Sequence, residues 1–152
     1  MREIKFRAWD GNKMHNVSAL YFSEISSGKK ACRVYDNIVD QLIFADVIMQ
    51  FTGLKDKNGK EIYAGDLLLI KIKCDSYNLE AIYEVVDRGF TTEFRIVNLI
   101  SPEAVFSNIT LEAGEDFEWY AGERLEIRAN QYRESSTNIE VIGNIYQNPE
   151  LL

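Results

Sequence analysis

Apolar and charged positions alternate from the start of the chain, with Ile4, Phe6 and Ala8 interleaved between Glu3, Lys5 and Arg7. A period of two is that of a strand buried on one face. Residues 3 to 9 are therefore predicted to be a strand with Ile4, Phe6 and Ala8 inward. Asp10-Gly11-Asn12-Lys13 supplies turn chemistry, and Met14 begins a return strand. Further strands are expected at 18–25, 31–35, 47–54, 64–72, 81–86, 93–99, 117–120, 123–128 and 139–146. The run Leu67-Leu68-Leu69-Ile70 calls for burial on both faces. In 36–45 the apolar residues Ile38, Val39, Leu42 and Ile43 sit at helical spacing, so a helical turn competes with a strand. A second short helical turn is expected at 103–106, after Pro102. In the last strand Ile139, Val141, Gly143 and Ile145 are assigned inward, against Glu140, Ile142, Asn144 and Tyr146. Many short strands separated by turn signals argue for a barrel or a sandwich.

The sharpest local signal is a hairpin across residues 50–63. A type I′ turn centred on Asn58-Gly59 would oppose Lys57 to Lys60 and Asp56 to Glu61, two like-charge pairs. A type I turn over Asp56–Gly59, with Gly59 in a G1 bulge, instead opposes Asp56 to Lys60, Lys55 to Glu61 and Leu54 to Ile62. Each cross-strand pair is worth roughly 0.2–1 kcal/mol, with the sign reversed for like charges. The second turn is therefore favoured by about a kcal/mol or more. Asp at its first position and Gly at its fourth also suit type I. In Tyr63-Ala64-Gly65-Asp66, Gly allows a tight bend and Asp caps nearby amides.

Size and charge narrow the class. A chain of 152 residues fits one domain or two small packed subdomains. Its 12% aromatic content is that of a folded protein. The net charge of −7 disfavours nonspecific nucleic-acid binding. Cys32 and Cys74 have no CxxC spacing and read as reduced thiols. The N-terminal segment lacks the apolar core of a signal peptide, and no apolar run is long enough for a membrane span. The expected compartment is the cytoplasm.

Four blocks carry a family resemblance. They are Ile4-Lys5-Phe6-Arg7-Ala8-Trp9-Asp10, then Lys13-Met14, then Phe51 through Asp66, and finally Val141-Ile142-Gly143-Asn144-Ile145-Tyr146-Gln147-Asn148-Pro149-Glu150. Together they resemble the YopX family of bacteriophage and prophage proteins. The resemblance implies an all-β protein with a small N-terminal β subdomain, here residues 1–45, and an SH3-like β-barrel, here residues 46–152, packed as one unit. It also implies a phage-encoded protein of the bacterial host cytoplasm, and it carries over no catalytic residues.

The candidate chemistry is thin. His15 is the single histidine, and nothing in the sequence sets a carboxylate or nucleophile beside it, so a surface position is expected. Glu112, Glu115, Asp116 and Glu118 form an acidic run that could serve a metal-dependent hydrolase, although a solvated loop is the simpler reading. No cofactor motif is present. The expected protein is therefore not an enzyme and acts by protein binding or self-assembly. Its partner is a host or phage protein or a second copy. The interaction surface is assigned to Trp9, Lys55, Lys57, Lys60, Trp119 and Tyr120. The alternative is a nucleic-acid-associated barrel in which the hairpin lysines, Lys71 and Lys73 meet phosphates while Arg7, Trp9 and Tyr63 stack on bases.

Overall fold

A computed structural model describes residues 3–24, 30–36, 41–73, 78–88, 91–100, 109–112 and 136–152. These residues are all-β, in three antiparallel sheets, with one 3-10 turn at Pro149–Leu151 and no α-helix among them. The chain divides into two compact units, Glu3–Phe51 and Thr52–Leu152. The strands expected at 117–120 and 123–128 and the turn at 103–106 lie outside the described residues, as does Cys74.

In the first unit, β1 (Phe6–Trp9) pairs with β2 (Met14–Val17) and on its other side with the start of β6 (Val47–Lys55). Its alternation buries Ala8, as expected. Ile4 departs from expectation. It precedes the strand and is 76% exposed, because the ladder begins only at Phe6. Asp10 builds the β1–β2 turn, its Oδ1 accepting from the N–H groups of Asn12 (2.8 Å) and Lys13 (2.7 Å).

A second sheet has the order β3 (Ala19–Glu24), β4 (Lys30–Asp36), β5 (Gln41–Phe44). The strand alternative therefore holds at 41–44, where the ladder to β4 runs from Asp36↔Gln41 to Arg33↔Phe44. Val34, on the central strand, is fully buried. Cys32 lies on the same strand.

In the second unit, the end of β6 meets β7 (Glu61–Tyr63). The larger sheet has the order β11 (Ile109–Glu112), β10 (Thr91–Leu99), β9 (Asn78–Asp87), β8 (Asp66–Lys73), β12 (Ser136–Asn144). It does not close on itself among the described residues. β8 lies between two strands, and its successive residues Leu67 and Leu68 are both fully buried, so both of its faces are covered. Ile70, Ala81, Tyr83, Val85 and Phe94 are also buried, together about a dozen kcal/mol of apolar burial at most. Burial pushes the Tyr83 phenol well above its ordinary pKa. Cross-strand ion pairs follow the register, with Lys71 Nζ 3.0 Å from Glu80 Oε1 and Arg95 3.6 Å from Glu84.

β12 carries a bulge between Val141 and Gly143. An extra residue in a strand reverses which face later side chains occupy. Ile139 and Val141 are buried as expected, but beyond the bulge it is Asn144 that is buried, while Gly143 and Ile145 are half-buried. The inward assignment of Gly143 and Ile145 is corrected on that ground.

Candidate interaction surfaces

The hairpin at 50–63 has the turn chosen by charge pairing. The Gly59 N–H donates to the Asp56 carbonyl at 2.9 Å, the Asp56 N–H donates to the Lys60 carbonyl at 2.9 Å, and Gly59 has φ +79°. This is a type I turn closed by a G1 bulge. The Asp56 carboxylate holds the loop from inside, Oδ1 accepting from the N–H groups of Asn58 (2.8 Å) and Lys60 (2.9 Å).

The tip also grips β12. Asp56 Oδ2 accepts from the Val141 N–H at 3.1 Å, and the Lys57 N–H donates to the Ile139 carbonyl at 3.1 Å. Lys57 Nζ pairs with Glu140 Oε2 at 2.6 Å, and Lys60 Nζ reaches the Val141 carbonyl at 3.4 Å. β12 ends the sheet order, so the tip covers its outer edge. Burial raises the Asp56 pKa. The N–H donors of Val141, Lys60 and Asn58 and the Lys60 charge outweigh it and hold the carboxyl below its ordinary range.

Other polar residues are similarly engaged. Asp66 Oδ2 accepts from the Tyr63 N–H at 2.8 Å. Asn144 Oδ1 accepts from the N–H groups of Tyr146 (3.1 Å) and Gln147 (2.9 Å) and so shapes the final turn. Asn148 Oδ1 accepts from the Asn144 N–H at 3.3 Å. A Cβ on Gly143 would overlap Asn148 Oδ1, which explains a glycine there.

His15 is not a surface residue. It is 6% exposed, and its Nε2 lies 2.8 Å from Asp10 Oδ2. The register sets Ala8 opposite His15, and the turn brings Asp10 back beside the ring. Hydrogen bonds from the Lys13 N–H, the His15 ring and the Asn12 N–H hold the Asp10 carboxyl down at about 2. An ionised carboxylate only accepts, so Nε2 carries the proton of this contact. Among the described residues no group of three or more His, Cys, Asp or Glu is placed to hold a metal ion.

Of the residues assigned to an interaction surface, Lys55, Lys57 and Lys60 are exposed at the hairpin, the latter two engaged with β12 as described. Trp9 is half-buried in β1. Trp119 and Tyr120 lie outside the described residues, as do Glu115, Asp116 and Glu118; Glu112 ends β11. Of the residues assigned to nucleic acid, Arg7 donates from Nε to Met49 Sδ at 3.4 Å, Tyr63 donates its hydroxyl to Glu61 at 2.8 Å, and Lys71 pairs with Glu80.

A different surface emerges in the first unit. Residues directly opposed in an antiparallel ladder share a face. The ladders align Tyr21 with Arg33 and Arg33 with Phe44, and align Ala19 with Tyr35 and Tyr35 with Leu42. Tyr21, Leu42 and Phe44 are thus on one face, and they are 52%, 49% and 59% exposed. Leu20, Val34 and Ile43 take the other face, with Val34 fully buried. The sequence held the signal in the alternation of Tyr21 and of Leu42 with Phe44, but only the register joins them.

A family model described as "YopX protein" matches residues 5–152. Two solved structures are similar. Protein yopX from Bacillus subtilis is 23% identical, with 100% of this chain and 99% of that chain covered and a TM-score of 0.49. Protein EF1440 from Enterococcus faecalis is 25% identical, with 100% and 99% covered and a TM-score of 0.46. No curated protein matches the chain.

Proposed function

Because the chain belongs to the YopX family, we propose that it is a non-catalytic accessory protein of phage or prophage origin that acts by protein contact in the host cytoplasm. The observation that carries this reading is the exposed apolar face of Tyr21, Leu42 and Phe44. Large apolar side chains gathered on one sheet face mark binding surfaces more often than scattered ones do. The non-catalytic part is supported by the structural use to which several polar residues are put. Asp56, Asp66, Asn144 and Asn148 each accept backbone N–H groups that hold turns and a strand edge. An SH3-like barrel in Thr52–Leu152 belongs to the same proposal, and the antiparallel run β8–β9–β10–β11 supports it.

The test is affinity purification from lysogenic or infected host cells, with and without nuclease, comparing the wild type with Leu42→Glu/Phe44→Glu. Proteins retained after nuclease by the wild type and lost by the variant are the expected result. An identical set of retained proteins for both would sink the reading.

A further inference from the structure

We propose that Asn58-Gly59, at the tip of the 50–63 hairpin, is a self-modification site that the Asp56 turn holds shut. When the turn opens, Asn58 is converted to aspartate and isoaspartate, and the isoaspartate keeps the turn from closing on β12 again.

The reactants are adjacent in the chain. Asn58 is the only asparagine followed by glycine; larger residues or proline follow the others. In the reaction the Gly59 backbone nitrogen gives up its proton and attacks Cγ of the Asn58 side chain. A new C–N bond closes a five-membered succinimide, and the side-chain nitrogen leaves as ammonia. Water then opens the ring at either carbonyl, giving aspartate or isoaspartate. A side chain on the residue after the asparagine obstructs this attack, and glycine has none. Nothing lies within 4 Å of where a Cβ on Gly59 would sit, and both residues are exposed, so the ring has room to form and water reaches it.

The turn is the guard. The Gly59 N–H, whose nitrogen must attack, donates to the Asp56 carbonyl at 2.9 Å. Asp56 Oδ1 holds the N–H groups on either side, of Asn58 at 2.8 Å and of Lys60 at 2.9 Å. Asn58 is the third residue of the type I turn, where ψ is about 0°. Ring closure needs the Gly59 nitrogen swung away from that setting, toward the side chain. Attack therefore waits for local opening, and its rate follows the fraction of open turn. Isoaspartate routes the backbone through the former side chain and lengthens it by one methylene. The bonds that Gly59 and Lys60 make to Asp56 then cannot all form, and the same Asp56 carboxylate carries the bond to the Val141 N–H. The product also sets a new carboxylate beside that of Asp56, and the like charges repel.

Ageing of the full chain at mildly alkaline pH, folded and in denaturant, is the test. Deamidation is read by mass spectrometry of the peptide spanning 58–59, and isoaspartate by enzymatic methyl labelling. The wild type should react about tenfold or more faster in denaturant than when folded. Asp56→Ala should move the folded rate toward the denatured one, and Gly59→Ala should lose most of the reaction in both conditions. If Asp56→Ala fails to fold, Asp56→Asn, which keeps one acceptor oxygen, is read instead and should accelerate less. The aged chain carrying isoaspartate should have a lower Tm than Asn58→Asp, which has the charge without the added methylene. No reaction at 58–59 even in denaturant overturns the site. Equal rates folded and denatured, or a folded Asp56 variant as slow as the wild type, overturn the guard. An isoaspartate form that melts with Asn58→Asp overturns the block on reclosing.

Discussion

The carboxylate of Asp56 and the backbone N–H of Val141 are joined at 3.1 Å across 85 residues of chain. The same carboxylate closes its own turn through Asn58 and Lys60, so a single side chain shapes the hairpin and fastens it to the outer edge of β12. Its removal leaves three N–H groups without this acceptor. Asp56→Ala should cost about 2–4 kcal/mol in denaturant unfolding, from charge-assisted bonds and donors left unsatisfied. Asp56→Asn keeps one acceptor oxygen and should cost less. Equal, near-zero losses for both would show that the fastening is energetically idle.

Acid should weaken the fold through the same group. The folded pKa of Asp56 lies below its ordinary value of 3.8. Its contribution is complete above the unfolded pKa and is lost as pH falls from about 4 through the folded value. Asp10, held at about 2, acts in the same direction over the window from about 4 to about 2. Denaturant midpoints measured from pH 7 to pH 2 should fall below pH 4. Asp56→Asn should flatten that fall, and a variant curve parallel to the wild type would refute the assignment.

Two glycines should respond differently to alanine. Gly59 has φ +79° and open space where a Cβ would go, so Gly59→Ala should cost only the backbone strain, about 1 kcal/mol. Gly143→Ala pushes into Asn148 Oδ1 and displaces its bond to the Asn144 N–H. We expect a loss of about 1–2 kcal/mol. Gly143→Ala with Asn148→Ala should then cost less than the sum of the single changes. Strict additivity would show that the two residues do not meet.

The bulge in β12 separates two isoleucines. Ile139 is buried on the regular part of the strand, whereas Ile145 lies past its end and is half-buried. Ile139→Asp should unfold the second unit, because it buries a charge without a partner. Ile145→Asp should lower the Tm and leave a folded protein. Circular dichroism with thermal melts distinguishes the two, and the reverse ranking would put the bulge in the wrong place.

These contrasts show what the sequence made legible. The hairpin turn followed from Asp56, Lys60 and Gly59, because its competing forms differ only in neighbours within a few residues. Ala8 inward and the two covered faces of β8 followed from apolar period and run length. What escaped was long-range or a matter of count. Asp56 reaches β12 through backbone N–H groups that every residue type carries, so no pattern marks the partner. A bulge adds one residue to a strand without changing its composition, and the inward assignments of Gly143 and Ile145 failed there. His15 was misplaced because its carboxylate sits five residues back, in a turn whose geometry sets the contact. The apolar face depended on aligning three strands whose register their own alternation leaves open.

β8 and β12 are neighbours in the sheet and lie more than sixty residues apart in the chain. Loop closure on that scale is slow relative to hairpin formation, because the entropy of bringing the ends together is lost before contacts reward it. During synthesis, β8, β9 and the 50–63 hairpin are complete while residues 136–144 have yet to be made. Over that interval one side of β8 and the Asp56 carboxylate await the same strand. Its arrival both fills the sheet and engages the hairpin, so the last strand of this sheet to be made completes two structures at once.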